Sequence, residues 1–194
     1  MTCIVGVEHQ GRVWIGADAL ITDSYWTKDR AAHPKVFQGG EFLIGWSGSV
    51  RMGQLLQYAL TVPARLPEQS EHGYLCTTFV DAVRDCLRAG GNQIVKDEAA
   101  AADGRFLLGY AGALYAVAQD YQVFHSRRGY AACGGGATYA LGSLHATAKN
   151  PDPEERIRLA LDAASTFSAD CGGPFTVIPT DPDATSPRLA GEQQ

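Results

Sequence analysis

The chain has 194 residues, of which 45% are hydrophobic and 19% are charged, and its formal net charge is −5 at pH 7. This composition excludes intrinsic disorder of the whole chain, because disordered proteins combine low hydrophobicity with high net charge. The length predicts one domain with a substantial apolar core. The acidic balance disfavours nucleic acid as a partner, since binding phosphates requires clustered Lys and Arg side chains.

The sequence also disfavours a membrane or secreted protein. No run of about 18 apolar residues is present to cross a bilayer, and residues 1–12 lack the basic and apolar regions of a secretory signal. The cysteines are odd in number and form no CxxC pair, which predicts reduced, buried thiols in a cytoplasmic protein rather than disulfides or a zinc site. They are Cys3, Cys76, Cys86, Cys133 and Cys171. The histidines show no metal-ligand spacing, so no metal is expected.

Four strands and then two helices are predicted in the first half of the chain. Short apolar runs joined by Gly-containing turns indicate the strands, and Pro34 favours an extended conformation just before the third of them. A change of the apolar period to three or four residues indicates the helices. The predicted strands are 3–8, 12–20, 35–38 and 41–46, and the predicted helices are 49–60 and 74–94.

The second half repeats this order and adds a last strand. The alanine-rich segment KDEAAAADG at 96–104 is expected to be a helix end or a loop. The sequence PDPEE at 151–155 favours a helix start, because it places Pro and acidic residues in the first turn. The predicted strands are 105–110, 113–120, 122–124, 130–133 and 175–179, and the predicted helices are 137–149 and 153–167. Residues 180–194 have no apolar periodicity, which predicts a disordered tail after a single domain at 1–179.

The order of these elements predicts the fold class. Blocks of strands followed by pairs of helices argue against a doubly wound α/β fold, in which strands and helices alternate. Two antiparallel sheets stacked face to face, each covered on its outside by a helix pair, would bury every apolar face. The prediction is therefore an α+β protein with a four-layer αββα sandwich.

Three residues could together form a nucleophilic site. Thr2 follows Met1, and a small second residue allows removal of Met1 in the cytoplasm. A free α-amino group has a pKa of about 7.7–8.0 and can act as the base for a neighbouring hydroxyl. Asp18 ends the apolar strand VWIGAD, where a carboxylate is costly unless it is paired. Lys35 begins a strand expected nearby, so a buried Asp18–Lys35 pair beneath Thr2 would orient the nucleophile.

These residues resemble the proteasome β-subunits and their HslV-type relatives, which are N-terminal-nucleophile hydrolases, and the resemblance extends over residues 2–178. The segment TCIVGVEHQGRVWIGADALIT is similar to the family's opening, and HPKVF is similar to its Lys-Val/Ile segment. The resemblance implies that Thr2 is the nucleophile, that Asp18 and Lys35 are catalytic, and that Thr22 contacts the substrate backbone.

The turn GWSG at 45–48 is similar to the family's Gly-x-x-Gly turn. The resemblance implies that the backbone N–H of Gly48 lies in the oxyanion hole and that the neighbouring Ser47 contacts substrate. Two other segments depart from the family. GGGATYALGSL at 134–144 has Gly135 where the family has serine. SADCGG at 168–173 has Cys171 where the family has serine, and the family's acidic residue is shifted to Asp170. Water or Ser168 could take over the role of the missing hydroxyl.

The missing serine leads to an expectation about rate. If its hydroxyl normally polarises the Thr2 amine, the protein is a slow enzyme and Gly135→Ser raises its rate. Alternatively, Gly135 needs a positive φ, in which case the substitution strains the turn.

The resemblance implies a threonine peptidase that hydrolyses peptide bonds in peptides or unfolded proteins and requires no cofactor. It also implies a homo-oligomeric ring and delivery of substrates by a partner ATPase. Leu55, Leu56 and Tyr58 are candidates for the apolar contacts of such a ring. Two alternatives stay open at this stage: a catalytically silent shell or interaction protein with the same fold, and an N-terminal-nucleophile amidase acting on a small molecule.

Overall fold

The computed structural model describes residues 2–22, 25, 27–96, 99–181 and 183–184. The predicted order of strands and helices is largely confirmed. The strands are β1 Cys3–His9, β2 Arg12–Asp18, β3 Leu20–Thr22, β4 Lys28–Arg30, β5 Val36–Gly39, β6 Phe42–Gly48, β7 Gln93–Lys96, β8 Ala99–Ala102, β9 Gly104–Tyr110, β10 Ala113–Val117, β11 Val123–His125, β12 Tyr130–Gly134 and β13 Phe175–Pro179. The helices are α1 Val50–Tyr58, α2 Glu71–Tyr74, α3 Val80–Ala89, α4 Ala137–Ala146 and α5 Pro153–Phe167, with a π-helical turn, Leu75–Phe79, joining α2 to α3.

The strands form two main antiparallel sheets. The first sheet has the order β12-β1-β2-β13 and the second has the order β11-β10-β9-β6-β5. Two small hairpins, β3-β4 and β7-β8, complete the described strands. Strand β1 pairs with β2 so that Ile4 lies opposite Ala17, which brings the start of the chain next to the end of β2.

Three apolar clusters hold the sheets and helices together. One cluster joins the facing surfaces of the two sheets, with Ile4 and Ile15 from the first and Leu43 and Leu107 from the second. A second cluster packs α1 to α3 against the second sheet, and a third packs α4 and α5 against the first sheet. Burial of these side chains is the main stabilising contribution, at about 25 cal/mol per Å² of apolar surface.

The structure differs from the sequence prediction at 96–104. Ala99–Ala102 forms β8 and pairs with β7, so the predicted helix end or loop is wrong there; Asp97 and Glu98 lie outside the described residues. Alanine favours helix as an isolated residue, but pairing with the neighbouring strand overrides this preference.

The helix predicted at 74–94 lies further toward the N-terminus. It starts at Glu71, where the Ser70 hydroxyl accepts a hydrogen bond from the Gly73 N–H at 3.1 Å, and it ends at Ala89. Gly91, with φ +69°, follows this end and turns the chain into β7.

Strand β4 was not predicted. It lies in a polar stretch and all three of its side chains are exposed, so the sequence has no alternation of apolar residues that would predict a strand.

The end of the described chain is attached to the first sheet. The Thr180 N–H donates to the Val13 carbonyl at 2.7 Å, and the Thr180 hydroxyl accepts from the Val13 N–H at 3.2 Å. Most of the predicted disordered tail, Pro182 and residues 185–194, lies outside the described residues. Every helix within the described ranges is too short or too polar to span a bilayer.

Candidate active site

Thr2, Asp18 and Lys35 meet in the interior, each with 2% of its surface exposed. The Lys35 Nζ lies 2.8 Å from Thr2 Oγ1 and 3.0 Å from Asp18 Oδ1. The β1–β2 hairpin brings the first two residues together, and Lys35 comes from the residue just before β5 of the facing sheet. The structure thus brings together the three residues that the sequence pattern singled out.

The Asp18 carboxylate is fully engaged in hydrogen bonds. Besides Lys35, its Oδ1 accepts from the Cys3 N–H at 3.0 Å, and its Oδ2 accepts from the N–H groups of Leu20 at 3.0 Å and Gly172 at 3.2 Å. Burying a carboxylate is costly unless its lone pairs are satisfied. These four donors offset that cost and fix the carboxylate beneath Thr2.

Lys35 has one acceptor for each of its three ammonium protons. In addition to Thr2 Oγ1 and Asp18 Oδ1, its Nζ donates to the Leu20 carbonyl at 2.5 Å. Burial lowers the pKa of Lys35, and the adjacent Asp18 carboxylate opposes this effect by favouring the charged form. The arrangement places a hydrogen-bonded cation directly on the Thr2 hydroxyl.

Residues of both sheets line a cleft close to the Thr2 backbone. Its volume is about 340 Å³. Its lining consists of Ser47, Gly48, Gly104, Arg105, Gln119 and Gly134. Of these residues, Gly134 lies directly against Thr2. A Cβ at position 134 would be 2.1 Å from the Thr2 carbonyl oxygen and 2.8 Å from Ser47 Oγ, so only glycine fits there. Two residues expected to contact the substrate, Ser47 and Gly48, therefore line the cleft.

Thr22 lies elsewhere in the described structure. It ends β3, is half-buried, and pairs with Lys28 of β4. It is outside the lining of the cleft.

The triple-glycine turn after β12 differs from the expectation for Gly135. The positive φ belongs to Gly134, at +97°, and not to Gly135. A different constraint applies at Gly135, because a Cβ there would lie 2.0 Å from Asp170 Oδ2 and 2.7 Å from Asp170 Cβ and Cγ. The Asp170 side chain therefore fills the space that a side chain at position 135 would need.

Ser168 stabilises the turn that follows α5. Its hydroxyl accepts a hydrogen bond from the Asp170 N–H at 3.1 Å. Asp170 is the residue of this segment that sequence reasoning did not assign to the site. Its only signal in the sequence was an acidic residue displaced within SADCGG.

Three thiols surround the site. Cys3, Cys133 and Cys171 are buried, as predicted, whereas Cys86 is half-buried and Cys76 is exposed. Burial raises the pKa of Cys171 to about 11 and that of Cys133 to about 12, and it raises the pKa of Cys3 as well. These thiols are therefore neutral at physiological pH and do not compete with Thr2 as nucleophiles. Within the part of the chain that the structure describes, no group of three or more His, Cys, Asp or Glu side chains could hold a metal ion.

Comparison with known proteins identifies the fold. No sequence family profile and no curated protein sequence matches the chain. Among solved structures, BPH from Thiobacillus denitrificans is 24% identical, with a TM-score of 0.77 over 94% of this chain and 100% of that one. The chain has the fold of the HslV-like proteasome β-subunits. HslV from Trypanosoma brucei superimposes on this chain with a TM-score of 0.64 at 16% identity, covering 92% of this chain and 98% of its own.

A third structure agrees with this assignment. Anbu, the ancestral β-subunit from Yersinia bercovieri, has a TM-score of 0.65 at 14% identity, over 92% of this chain and 81% of its own. The resemblance read from the sequence is thus confirmed for the fold. At these identities the likeness of this chain to its neighbours is one of fold.

Proposed function

We propose that this protein is a threonine peptidase of the N-terminal-nucleophile type, in which removal of Met1 exposes Thr2. The observation that carries the proposal is the direct contact of 2.8 Å between Lys35 Nζ and Thr2 Oγ1, inside a buried ion pair with Asp18. A hydroxyl that accepts a hydrogen bond from a buried cation, just before the first strand, is positioned to become an alkoxide.

In the proposed reaction, Thr2 Oγ attacks the carbonyl carbon of a peptide while its own α-amine accepts the hydroxyl proton, directly or through a water. Lys35 favours the developing alkoxide electrostatically, and Asp18 keeps Lys35 charged. The Gly48 N–H stabilises the tetrahedral oxyanion; such a donor is typically worth about 10²–10³ in rate. The leaving amine departs with the proton, and water then hydrolyses the ester on Thr2.

The cleft supports a peptide-like substrate. Ser47, Gly48 and Gly134 all contribute to its lining, and we expect an extended chain to bind there beside Thr2. The Thiobacillus protein has also been solved in complex with epoxomicin. We expect this chain to bind the same compound at Thr2. Thr22 ends β3, outside the lining of this cleft, and its contact with the substrate backbone stays a prediction.

The proposal extends to the architecture and assembly. Because one apolar cluster joins the sheets and one lies under each set of helices, we infer the four-layer αββα sandwich. We also propose a cytoplasmic homo-oligomeric ring that receives substrates from an ATPase. Leu55 and Leu56 face the core and cannot contribute to its contacts, contrary to the expectation from sequence, whereas Tyr58 is 71% exposed and can.

Substitution of the nucleophile tests the proposal. Thr2→Ala should abolish hydrolysis of a peptide substrate, because it removes the attacking oxygen and keeps a small second residue that permits removal of Met1. Thr2→Ser, which retains the hydroxyl, should keep measurable activity and serves as the matched control. A Thr2→Ala protein that turns over as fast as the unchanged protein would refute a threonine peptidase.

A further inference from the structure

The side chain of Asp170 occupies an unusual place. Its Oδ2 lies 2.0 Å from the position of a Cβ on Gly135, and its Cγ lies 2.7 Å from that position. Only glycine at position 135 leaves room for this carboxylate. The two residues are far apart in sequence but form a complementary pair in space.

The turn that carries Asp170 is fixed to the site. The Asp170 N–H is held by Ser168 Oγ at 3.1 Å, and two residues later the Gly172 N–H donates to Asp18 Oδ2 at 3.2 Å. Between them, Cys171 Sγ lies 2.9 Å from the position of a Cβ on Gly136, next to Cys3 Cβ at 3.0 Å from the same point. These contacts hold the Asp170 carboxylate in a defined position relative to β1.

That position lies across from Thr2. Cys3 is opposite Gly134 at the end of the β1–β12 ladder, so Thr2 and Gly135 are the next residues of the two chain segments beyond it. The Gly136 N–H donates to the Thr2 carbonyl at 3.5 Å, which keeps the glycine turn against the start of the chain. The carboxylate over Gly135 is therefore next to the start of the mature chain.

The Asp170 carboxylate has no partner of its own among the described residues, none of which donates a hydrogen bond to it or forms an ion pair with it. Asp170 is half-buried. A partly buried carboxylate is stabilised by a neighbouring positive charge, because part of its hydration is lost. Removal of Met1 would create a cation, the α-ammonium of Thr2, beside it.

We propose that Asp170 is a positioning residue that pairs with the α-ammonium group of Thr2 and takes over the role that a side chain at position 135 cannot play. This inference rests on the proposed function, because it requires a mature chain that begins at Thr2. Asp170 does not touch substrate; it holds the amine in the orientation in which the amine exchanges protons with Thr2 Oγ.

The proton balance of the reaction is preserved. During acylation the neutral amine accepts the Thr2 Oγ proton and becomes an ammonium, which Asp170 stabilises while remaining ionised. The ammonium then gives this proton to the leaving nitrogen as the C–N bond breaks. During deacylation the amine takes a proton from the attacking water, and the proton returns to Thr2 Oγ when the ester bond breaks.

The charges around the Thr2 amine determine whether removing Asp170 raises or lowers the pKa of that amine, and so how activity depends on pH. Lys35 and Asp18 face Thr2 from β5 and β2, Asp170 faces it from the turn after α5, and the thiols of Cys3 and Cys171 are neutral. A carboxylate beside an amine favours the protonated form and so raises the pKa of that amine. Removing the charge of Asp170 lowers that pKa, so activity persists to lower pH.

The test compares Asp170→Asn with the unchanged protein and with Asp162→Asn, an exposed carboxylate of α5 away from the site. We expect Asp170→Asn to lower kcat about tenfold to a hundredfold with KM unchanged, since part of the general-base contribution of about 10²–10⁴ is lost. The acid limb of the kcat/KM profile should move to lower pH by about half a unit or more. Asp162→Asn should match the unchanged protein in kcat, pH profile and melting temperature.

A second set of variants keeps the inference testable if Asp170→Asn folds poorly. Gly135→Ser alone should lower the melting temperature, because its Cβ meets the Asp170 side chain. In the Asp170→Ala background the same serine has room, and its hydroxyl should restore part of the kcat that Asp170→Ala loses.

The outcomes separate this inference from the proposed function. If Thr2→Ala is inactive but Asp170→Asn keeps the kcat and pH profile of the unchanged protein, the role of Asp170 is refuted and the peptidase stands. If Thr2→Ala keeps full activity, both are refuted. A loss of kcat with the expected pH shift and rescue by Gly135→Ser in the Asp170→Ala background supports the inference, because a merely structural role would not move the pH profile.

Discussion

At the scale of single residues, Lys35 connects the nucleophile to its support. Its three donors reach Thr2, Asp18 and the Leu20 carbonyl, so one side chain orients the hydroxyl and balances the buried carboxylate. A buried ion pair of this kind contributes little net stability as a pair, but removing one partner leaves an uncompensated charge. The site therefore couples activity to folding through Lys35.

Lys35→Ala should reduce both the peptidase activity and the stability of the fold. Activity should fall by at least about a hundredfold, because the charge that stabilises the alkoxide is gone. The free energy of unfolding should drop by about 3 kcal/mol, toward the low end for a broken buried pair because three backbone N–H groups still bond to Asp18. Peptide turnover and chemical denaturation measure the two effects.

Lys28→Ala provides the matched control. Lys28 is an exposed lysine on β4, and its removal should change neither quantity. Lys35→Ala with unchanged turnover and unchanged stability would show that the Asp18–Lys35 pair is not part of the catalytic machinery.

The residues of the site could be predicted from sequence to different degrees. Asp18 and Lys35 were recognisable because a charge inside or next to an apolar strand must be paired, and Thr2 was recognisable because it follows Met1 directly before the first strand. Asp170 could not be assigned, since its position depends on how the turn after α5 folds back over Gly135. Likewise, the backbone angle of +97° belongs to Gly134, a distinction that three consecutive glycines do not reveal.

At the scale of elements, the end of β6 shapes the wall of the cleft. Gly48 has φ +123°, and a Cβ there would lie 2.5 Å from the Cα of Gly104 and 2.6 Å from the Asp103 carbonyl oxygen. The backbones of β6 and β9 approach each other at this point, beside Ser47 and the cleft. A residue with a side chain would have to push the two strands apart.

Gly48→Ala should therefore destabilise the fold and impair the site. We expect a loss of about 1–3 kcal/mol from backbone strain, added to the displacement of β9, and a fall in kcat because the Gly48 N–H leaves the oxyanion hole. Melting temperature and peptide turnover measure these effects together.

Gly142→Ala is the contrasting variant. A Cβ at Gly142 of α4 meets no atom within 4 Å, so alanine should stabilise the helix by about 0.5–1 kcal/mol and leave turnover unchanged. The account of β6 fails if Gly48→Ala is as stable and as active as Gly142→Ala.

The predictability of the elements follows from their local signals. Helix α5 was predicted with its observed bounds, since Asp152 caps it by accepting from the N–H groups of Glu154 and Glu155 and Pro153 begins it. Strand β8 was not predicted, because four alanines have no strand pattern and become a strand only through their pairing with β7. Long-range pairing was the information that the local sequence lacked.

At the scale of the whole molecule, the fold persists at low sequence similarity. Neighbours of 14–24% identity share it over more than nine-tenths of this chain. The apolar periodicity of the strands and helices was sufficient to predict antiparallel sheets packed with helices, because a sheet must bury its apolar face against another element. Assembly is different, since it depends on which exposed side chains meet a second copy, and the apolar residues of α1 that were expected outside are mostly in the core.

The central claim is that the working protein begins with Thr2 and that this residue is the nucleophile. The measurement that tests it most directly is the intact mass of the purified protein, before and after incubation with epoxomicin, with Thr2→Ala treated in parallel. We predict that the purified chain is lighter than the encoded sequence by one methionine residue and that it gains the mass of one epoxomicin molecule on incubation. The Thr2→Ala chain should also lack Met1 but should gain no epoxomicin. A purified chain that retains Met1, or a Thr2→Ala chain that gains the same adduct, would contradict the account.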